Sequence, residues 1–379
     1  MKLRKNIQIF YIALMCVLIL APVAFFLVFG RFFDTKNYEN RDLAAAPVIG
    51  ETSINAFPDV FDAWFNDHLP FRNQLLELKG IVDYDVLHTT DSKSVFIGKD
   101  GWLFYKGAQV NAEDPIADYQ GTNLFTEAEL EQIKTNMLAA RDELAQRGIS
   151  FYIFLCPNKE RVYSQYMPDN IPRFDEGGRL QQVYDYLTQN TDLVVVNAYD
   201  DLKAYMAEHP EQQLYYKYDT HWNSVGAYVG TKTLTEKLGF QQDPFDEIQV
   251  SDKGEDSFDL ARLLHLGNYL TKDHFYTLTK YTPHDVKTQM GELGEQIRYR
   301  TDETAPGGRL YIIGDSFSTI SSAYYACHYQ EAFLNFYYDY DLASLEKEQP
   351  DTLVYETVER YIGNMLDFSI TQGIGSNNE

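Results

Sequence analysis

Five short apolar runs, at 151–156 (FYIFLC), 193–197 (LVVVN), 309–315 (RLYIIGD), 333–338 (FLNFYY) and 352–361 (TLVYETVERY), alternate with stretches of helical spacing. Runs this rich in β-branched and aromatic residues suit strands buried on both faces. Strands that alternate with helices predict an α/β fold in which a parallel sheet carries helices on both faces. Thr126 and Glu129 form a capping box ahead of Leu130, Ile133, Met137, Ala140 and Leu144, and the helix they open should stop before Gly148. Leu180, Val183, Tyr184 and Leu187 mark a second helix, a third runs from Ser224 to about Leu238, and a fourth follows Phe317. Residues 240–305 break the alternation and read as an irregular polar insertion. The 29 Tyr and 24 Phe supply the apolar surface for a core, which excludes a disordered chain.

Ahead of this pattern, no charged residue occurs from Ile9 to Gly30. An apolar segment of about 20 residues is long enough to cross a bilayer, and Phe25, Phe26 and Phe29 are poor neighbours for a signal-peptide cut. A retained anchor is expected, with residues 7–30 in the lipid and Cys16 facing it. Lys2, Arg4 and Lys5 precede the span, so the N-terminus should stay cytoplasmic and the rest should lie outside the cell membrane, a single-pass arrangement. The expected organisation is an anchor at 1–30, a tether at 31–56, a helical and hairpin lead-in at 57–120 packed on the main domain, and that domain at 121–379. Within the lead-in, Asp100-Gly101 sits between VFIGK and WLFY, a strong hairpin signal. The 56 acidic against 32 basic residues give a net charge of −24, which excludes nucleic acid as a partner. Three Cys without metal-ligand spacing exclude a thiolate zinc site, and Cys156 and Cys327 read either as separately buried thiols or, in an oxidising compartment, as a pair.

Three motifs fall at predicted strand ends. Gly314-Asp315-Ser316 closes the 309–315 run and enters a helix: Asp315 or Ser316 can cap that helix, or Ser316 can act as a nucleophile with its N–H at the positive helix end. Asp219-Thr220-His221-Trp222-Asn223 precedes the helix at Ser224. Residues two apart in an extended segment share a side, so Asp219 can fix the His221 ring, or else the segment is a helix entry capped by Asn223 or Ser224. Pro157-Asn158-Lys159-Glu160 leaves the first strand as a turn with solvated charges, or places Asn158 as an oxyanion donor and Lys159 on the substrate. A serine nucleophile needs a base and the base an orienting group, so the first two motifs support each other. None of the other seven His has a carboxylate in a comparable motif.

In combination these pieces resemble the SGNH-hydrolase-like proteins of the alginate O-acetyltransferase type, and within them the DHHW-type membrane-anchored relatives. The resemblance rests on Glu39-Asn40-Arg41, Phe71-Arg72, Gly98 to Phe104, Pro157-Asn158-Lys159, Asp219 to Asn223, Gly314 to Ser318 and Val354 to Arg360, in that order along the chain. It implies that 121–379 is an SGNH-like catalytic domain with Ser316 as nucleophile, His221 as base and Asp219 as its orienter. The Asp-x-His precedes the Ser, the permuted order that this group shares. Thr220 stands where the DHHW pattern has His, and it is expected to project away from the acting pair. The activity implied is acetyl transfer onto an exported or cell-surface polysaccharide through an acetyl-serine, with a membrane-bound acyltransferase delivering the donor. Asn158, Lys159, Trp222, Asn223 and Ser318 are the candidates for oxyanion or substrate binding, Trp222 by stacking on a sugar. No metal or cofactor is required, and no carbohydrate-binding module is expected after Glu379. A polysaccharide acetylesterase with the same residues, or a non-catalytic glycan-binding scaffold of an export complex, would fit the same motifs.

Overall fold

Thr126 accepts the Glu129 N–H while the Glu129 carboxylate accepts the Thr126 N–H at 2.7 Å, so the capping box forms and opens the helix Glu127–Gln146. In this computed structural model the described residues are 2–32, 42–107, 113–291 and 296–374. The Glu39-Asn40-Arg41 motif and 33–41 of the expected tether lie outside them. Two compact units are present: residues 1–90 with 261–269, and residues 91–260 with 270–379. The expected lead-in is therefore divided near residue 90. The first unit contains the helices Lys2–Phe29, Phe57–Asp67 and Arg72–Ile81. Among the described residues no helix is long and apolar enough to cross a membrane, so the expected span rests on the sequence alone.

The second unit opens with the hairpin of β1 (Val95–Ile97) and β2 (Leu103–Tyr105), where Asp100 and Gly101 both take positive φ, 53° and 72°. β3 (Ser150–Cys156) and β4 (Val194–Asn197) come next, followed by a small antiparallel pair, β5 (Gln249–Asp252) and β6 (Tyr276–Thr279). β7 (Val286–Met290), β8 (Gln296–Thr301), β9 (Gly307–Gly314), β10 (Tyr329–Phe336) and β11 (Thr352–Val358) complete the larger strands. The main sheet has seven strands in the order β4-β3-β11-β9-β10-β8-β7.

From β4 to β10 every neighbour pair is parallel, as the apolar runs predict. β8 and β7 are antiparallel, so the sheet is mixed rather than all parallel. Both extra strands come from the stretch expected to be irregular. The two faces bury alternate residues of the same strands: Phe154, Ile312 and Val354 on one side, Ile153, Ile313 and Leu353 on the other. The helix expected over 224–238 is two, Ser224–Gly230 and Lys232–Lys237. Cys156 and Cys327 are free and buried. β3, β9 and β11 run side by side, so their carboxyl ends share one edge.

Candidate active site

Ser316 lies one residue past the end of β9, and Gly314 allows the tight exit: a Cβ there would meet Ser318 Oγ at 2.1 Å. The helix Ser318–Ala326 begins two residues on. Asp315 takes the structural role, for its Oδ1 accepts the Phe317 N–H at 2.8 Å and its Oδ2 the Val358 N–H at 2.7 Å. The Ser316 hydroxyl is not spent as a cap and faces His221 instead. Oγ lies 2.8 Å from His221 Nε2, and His221 Nδ1 lies 2.6 Å from Asp219 Oδ1. With Asp219 ionised, Nδ1 carries the proton and Nε2 is left to accept the one from Ser316. These three residues, expected as a triad from two separate motifs, form one hydrogen-bonded line.

A tight loop holds the base. Tyr215 bridges to Trp222, the Tyr216 N–H reaches the His221 carbonyl at 3.1 Å, and the Asn223 N–H reaches the Leu214 carbonyl at 2.8 Å. The Asn223 side chain accepts the Gly226 N–H and donates to the Gln213 carbonyl, so it caps the helix Ser224–Gly230 as one reading of the motif proposed. Trp222 is fully buried, with Nε1 donating to the Phe317 carbonyl at 3.2 Å. That bond ties the loop of the base to the residue after the nucleophile, and it removes Trp222 as a sugar platform. Ser318 is also fully buried, its Oγ accepting the Asp315 N–H at 3.2 Å. Lys159 is buried too, and its ammonium donates to the carbonyls of Tyr216, Lys217 and Asp219 at 3.1, 3.3 and 2.6 Å. Burial lowers its pKa to about 8 against the pull of nearby carboxylates. Trp222, Asn223, Ser318 and Lys159 are thus buried, with their polar atoms committed to backbone groups around the site. Asn158 differs, because among the described residues its buried side-chain amide has no hydrogen-bond partner at either Nδ2 or Oδ1.

Asp259 was not expected. It comes from the 240–305 stretch, its N–H donates to Asp219 Oδ2 at 2.7 Å, and its own Oδ2 lies 3.8 Å from His221 Nδ1. Thr220 does not project away from the pair: its hydroxyl donates to Asp259 Oδ2 at 2.6 Å and sits 3.2 Å from His221 Nδ1. Burial and then the Asp219 charge push the Asp259 carboxyl up to about 6. Burial also works against the Asp219 carboxylate, but the His221 charge and hydrogen bond outweigh it and hold Asp219 well below the usual range. For His221 burial favours the neutral ring, yet the Asp219 charge and hydrogen bond together with Asp259 leave its pKa raised. Asp219, His221 and Asp259 present ligand atoms within 4.8 Å of one another, the spacing of a cation site. Those atoms already satisfy each other, Thr220 and the Asp259 N–H, and a cation on Nδ1 would displace the proton that orients the ring.

A family model described as "SGNH hydrolase-like domain, acetyltransferase AlgX" matches residues 95–335, more than half of the chain. The chain belongs to this family. It is 24% identical over 259 residues to the probable alginate O-acetylase AlgJ of Pseudomonas aeruginosa PAO1, covering 67% of this chain and 59% of that protein. To the protein of the same name from Pseudomonas syringae pv. tomato DC3000 it is 22% identical over 239 residues, covering 61% and 52%. The chain therefore spans between half and three fifths of the length of these curated relatives. Among solved structures it resembles Bacillus cereus PatB1 with a sulfonyl adduct, at a TM-score of 0.52 and 14% identity over 73% of this chain and 99% of that one. A DHHW family protein from Eubacterium siraeum DSM 15702 gives a TM-score of 0.51 at 13% identity, covering 77% and 95%. The SGNH-like α/β fold expected from the ordered motifs is the fold of this chain, with a mixed sheet in place of an all-parallel one.

Proposed function

We propose that this chain is an O-acetyltransferase acting on hydroxyls of an exported or cell-surface polysaccharide through an acetyl-Ser316 intermediate. The observation that carries the reading is the line from Asp219 through His221 to Ser316 Oγ, with separations of 2.6 and 2.8 Å. The polysaccharide class is supported by relatives named for alginate O-acetylation. In the first half-reaction Ser316 Oγ bonds to the acetyl carbonyl carbon while His221 Nε2 takes the hydroxyl proton. The carbonyl pair moves onto oxygen, then returns as the donor's alcohol or thiol leaves with that proton. In the second, His221 takes the proton of a sugar hydroxyl, whose oxygen bonds to the acetyl carbon, and Ser316 leaves with the proton from His221. The Ser316 N–H and Asn158 Nδ2 are the donors we assign to the oxyanion. Asp219 holds the tautomer, and no cofactor enters these steps.

In this reading the domain works outside the cytoplasm, tethered through residues 7–30 with the N-terminus inside. Support comes from the uncharged run, the preceding Lys2, Arg4 and Lys5, and the exposure of Ile9, Phe10, Tyr11, Ile12, Leu18 and Leu20 along the helix Lys2–Phe29. An acetyl donor outside the cell has to be delivered, and a membrane-bound acyltransferase is the partner this calls for. Ser316→Ala tests the reading. Acetate on the purified polysaccharide should fall to background while the unfolding temperature stays near that of the unsubstituted protein. A folded Ser316→Ala protein that still acetylates would overturn the nucleophile assignment.

A further inference from the structure

Three arginines are buried among the described residues, and one differs from the others. Arg161 is paired with Glu359, and Arg179 with Asp118 at 2.6 Å. Arg360 is 8% exposed, yet among the described residues it makes no ion pair within 4.0 Å and its buried Nε has no hydrogen-bond partner; Tyr361 hydrogen-bonds to its guanidinium, and Asp315 and Glu113 act on it only as more distant charges. Its guanidinium carbon instead lies over aromatic faces, 5.1 Å from the ring centres of Phe317 and Tyr361 and 5.9 Å from that of Tyr105. A buried cation whose carboxylate neighbours stay beyond ion-pair distance is incompletely compensated, and a negatively charged ligand would complete it.

The position of Arg360 indicates which ligand. Val358 ends β11 opposite Cys156 of β3, so Arg360 and Asn158 each lie two residues beyond a paired position on adjacent strands. The Val358 N–H is bonded to Asp315 Oδ2, one residue before the nucleophile. The Phe317 ring lies 5.1 Å from the His221 ring and at the same distance from the Arg360 guanidinium, so base and cation meet over one side chain next to Ser316. The unpartnered amide of Asn158 belongs to the same sheet edge. An unpartnered amide and a cation without a contact ion pair thus lie at the sheet edge that carries the residue that would bear the acyl group.

We propose that Arg360 binds a negatively charged oxygen of the substrate at Ser316. This rests on the acetyltransferase reading above. The oxygen has two possible sources: the oxyanion formed on the acetyl carbonyl when Ser316 attacks, or a carboxylate on the acceptor sugar. The forked, permanently charged guanidinium suits either one.

The test uses full-length protein in detergent with Arg360→Met, Arg360→Lys and Ser316→Ala. Hydrolysis of p-nitrophenyl acetate, a neutral acetyl ester, is measured alongside acetylation of an acidic uronate oligosaccharide and a neutral glucan oligosaccharide. If the oxyanion is the ligand, Arg360→Met lowers kcat on the ester about 10²–10³-fold with little change in KM, the scale of one oxyanion donor. Arg360→Lys should fall between the two. If the acceptor carboxylate is the ligand, ester hydrolysis is unchanged while KM rises for the uronate and not for the glucan. A folded Arg360→Met protein with all three activities within about threefold of the unsubstituted enzyme overturns the proposal. Should Arg360→Met fail to fold, a folded Arg360→Lys protein with full activity on every substrate overturns it as well. Ser316→Ala separates the two levels: if it still turns over the ester, the nucleophile reading fails, whereas an inactive Ser316→Ala beside a fully active Arg360→Met removes only Arg360.

Discussion

His221 sits between two carboxylates, and only Asp219 touches its ring proton. The Asp259 carboxylate reaches the ring proton only across 3.8 Å, through its charge, and it adds to the forces that raise the His221 pKa above its ordinary 6.5. A base must be neutral to accept the Ser316 proton, so activity should climb with pH through a midpoint above that of a free histidine. Replacing Asp259 by Asn removes one negative charge near Nδ1 and should move this acid limb to lower pH, with the plateau rate changed less than the midpoint. A pH profile of p-nitrophenyl acetate hydrolysis reads both, and an unshifted limb would show that Asp259 is electrically silent. Asp219→Asn should behave differently, lowering the plateau because the tautomer is lost, though less than removal of His221 itself. None of this role for Asp259 was legible in the sequence. It lies 40 residues from Asp219 in a polar stretch without a motif, and only the fold brings its N–H to the Asp219 carboxylate.

At the scale of elements, the loop 214–223 is a rigid holder built from outside itself. The Tyr215 hydroxyl donates to the Pro157 carbonyl at 2.8 Å, and Lys159 supplies its ammonium to three loop carbonyls. Both anchors leave the end of β3, so that strand positions the base although it carries none of the triad. Lys159→Met would leave those carbonyls without their donor, at about 1–3 kcal/mol for each one that water cannot reach. It should lower both the unfolding temperature and kcat, while a change confined to KM would point back to substrate contact. The β3 run was legible because unbroken apolar residues mark a strand buried on both faces, and Gly314-Asp315-Ser316 was legible because it ends another. The roles of Lys159, Trp222, Asn223 and Ser318 were not, since motif residues that hold a site look the same in sequence as those that touch a ligand. β7 escaped for a different reason: Lys287, Thr288, Gln289 and Met290 are all exposed on this edge strand, so it has no buried face to imprint an alternating pattern.

At the scale of the whole molecule, with a net charge of −24, several acid groups are buried among the described residues, Asp118, Glu160, Asp315, Glu356 and Glu359. Burial raises Glu160 and Glu356 to about 7, and Asp118 and Asp259 to about 6, with nearby carboxylates adding to the last two. The unfolded chain would release these protons near the ordinary carboxyl values of 3.8 to 4.5, so between those values and 6–7 the folded state binds more protons. Their contribution to stability is fully present below the unfolded values and is lost as pH rises through the folded ones. His221, also raised, works in the same direction. His328, lowered by burial, opposes them as a single group. Asp219 has the reverse sign, and its contribution is lost only as pH falls below the ordinary range. Through these groups stability should therefore fall from about pH 4.5 to about pH 7, by about 1.4 kcal/mol per pH unit for each group still protonated only in the fold. Thermal unfolding across that range should show a falling midpoint. Glu356→Gln, which removes one of these protons, should flatten the slope, and a midpoint that rises with pH would show that the buried carboxyls are ionised in the fold.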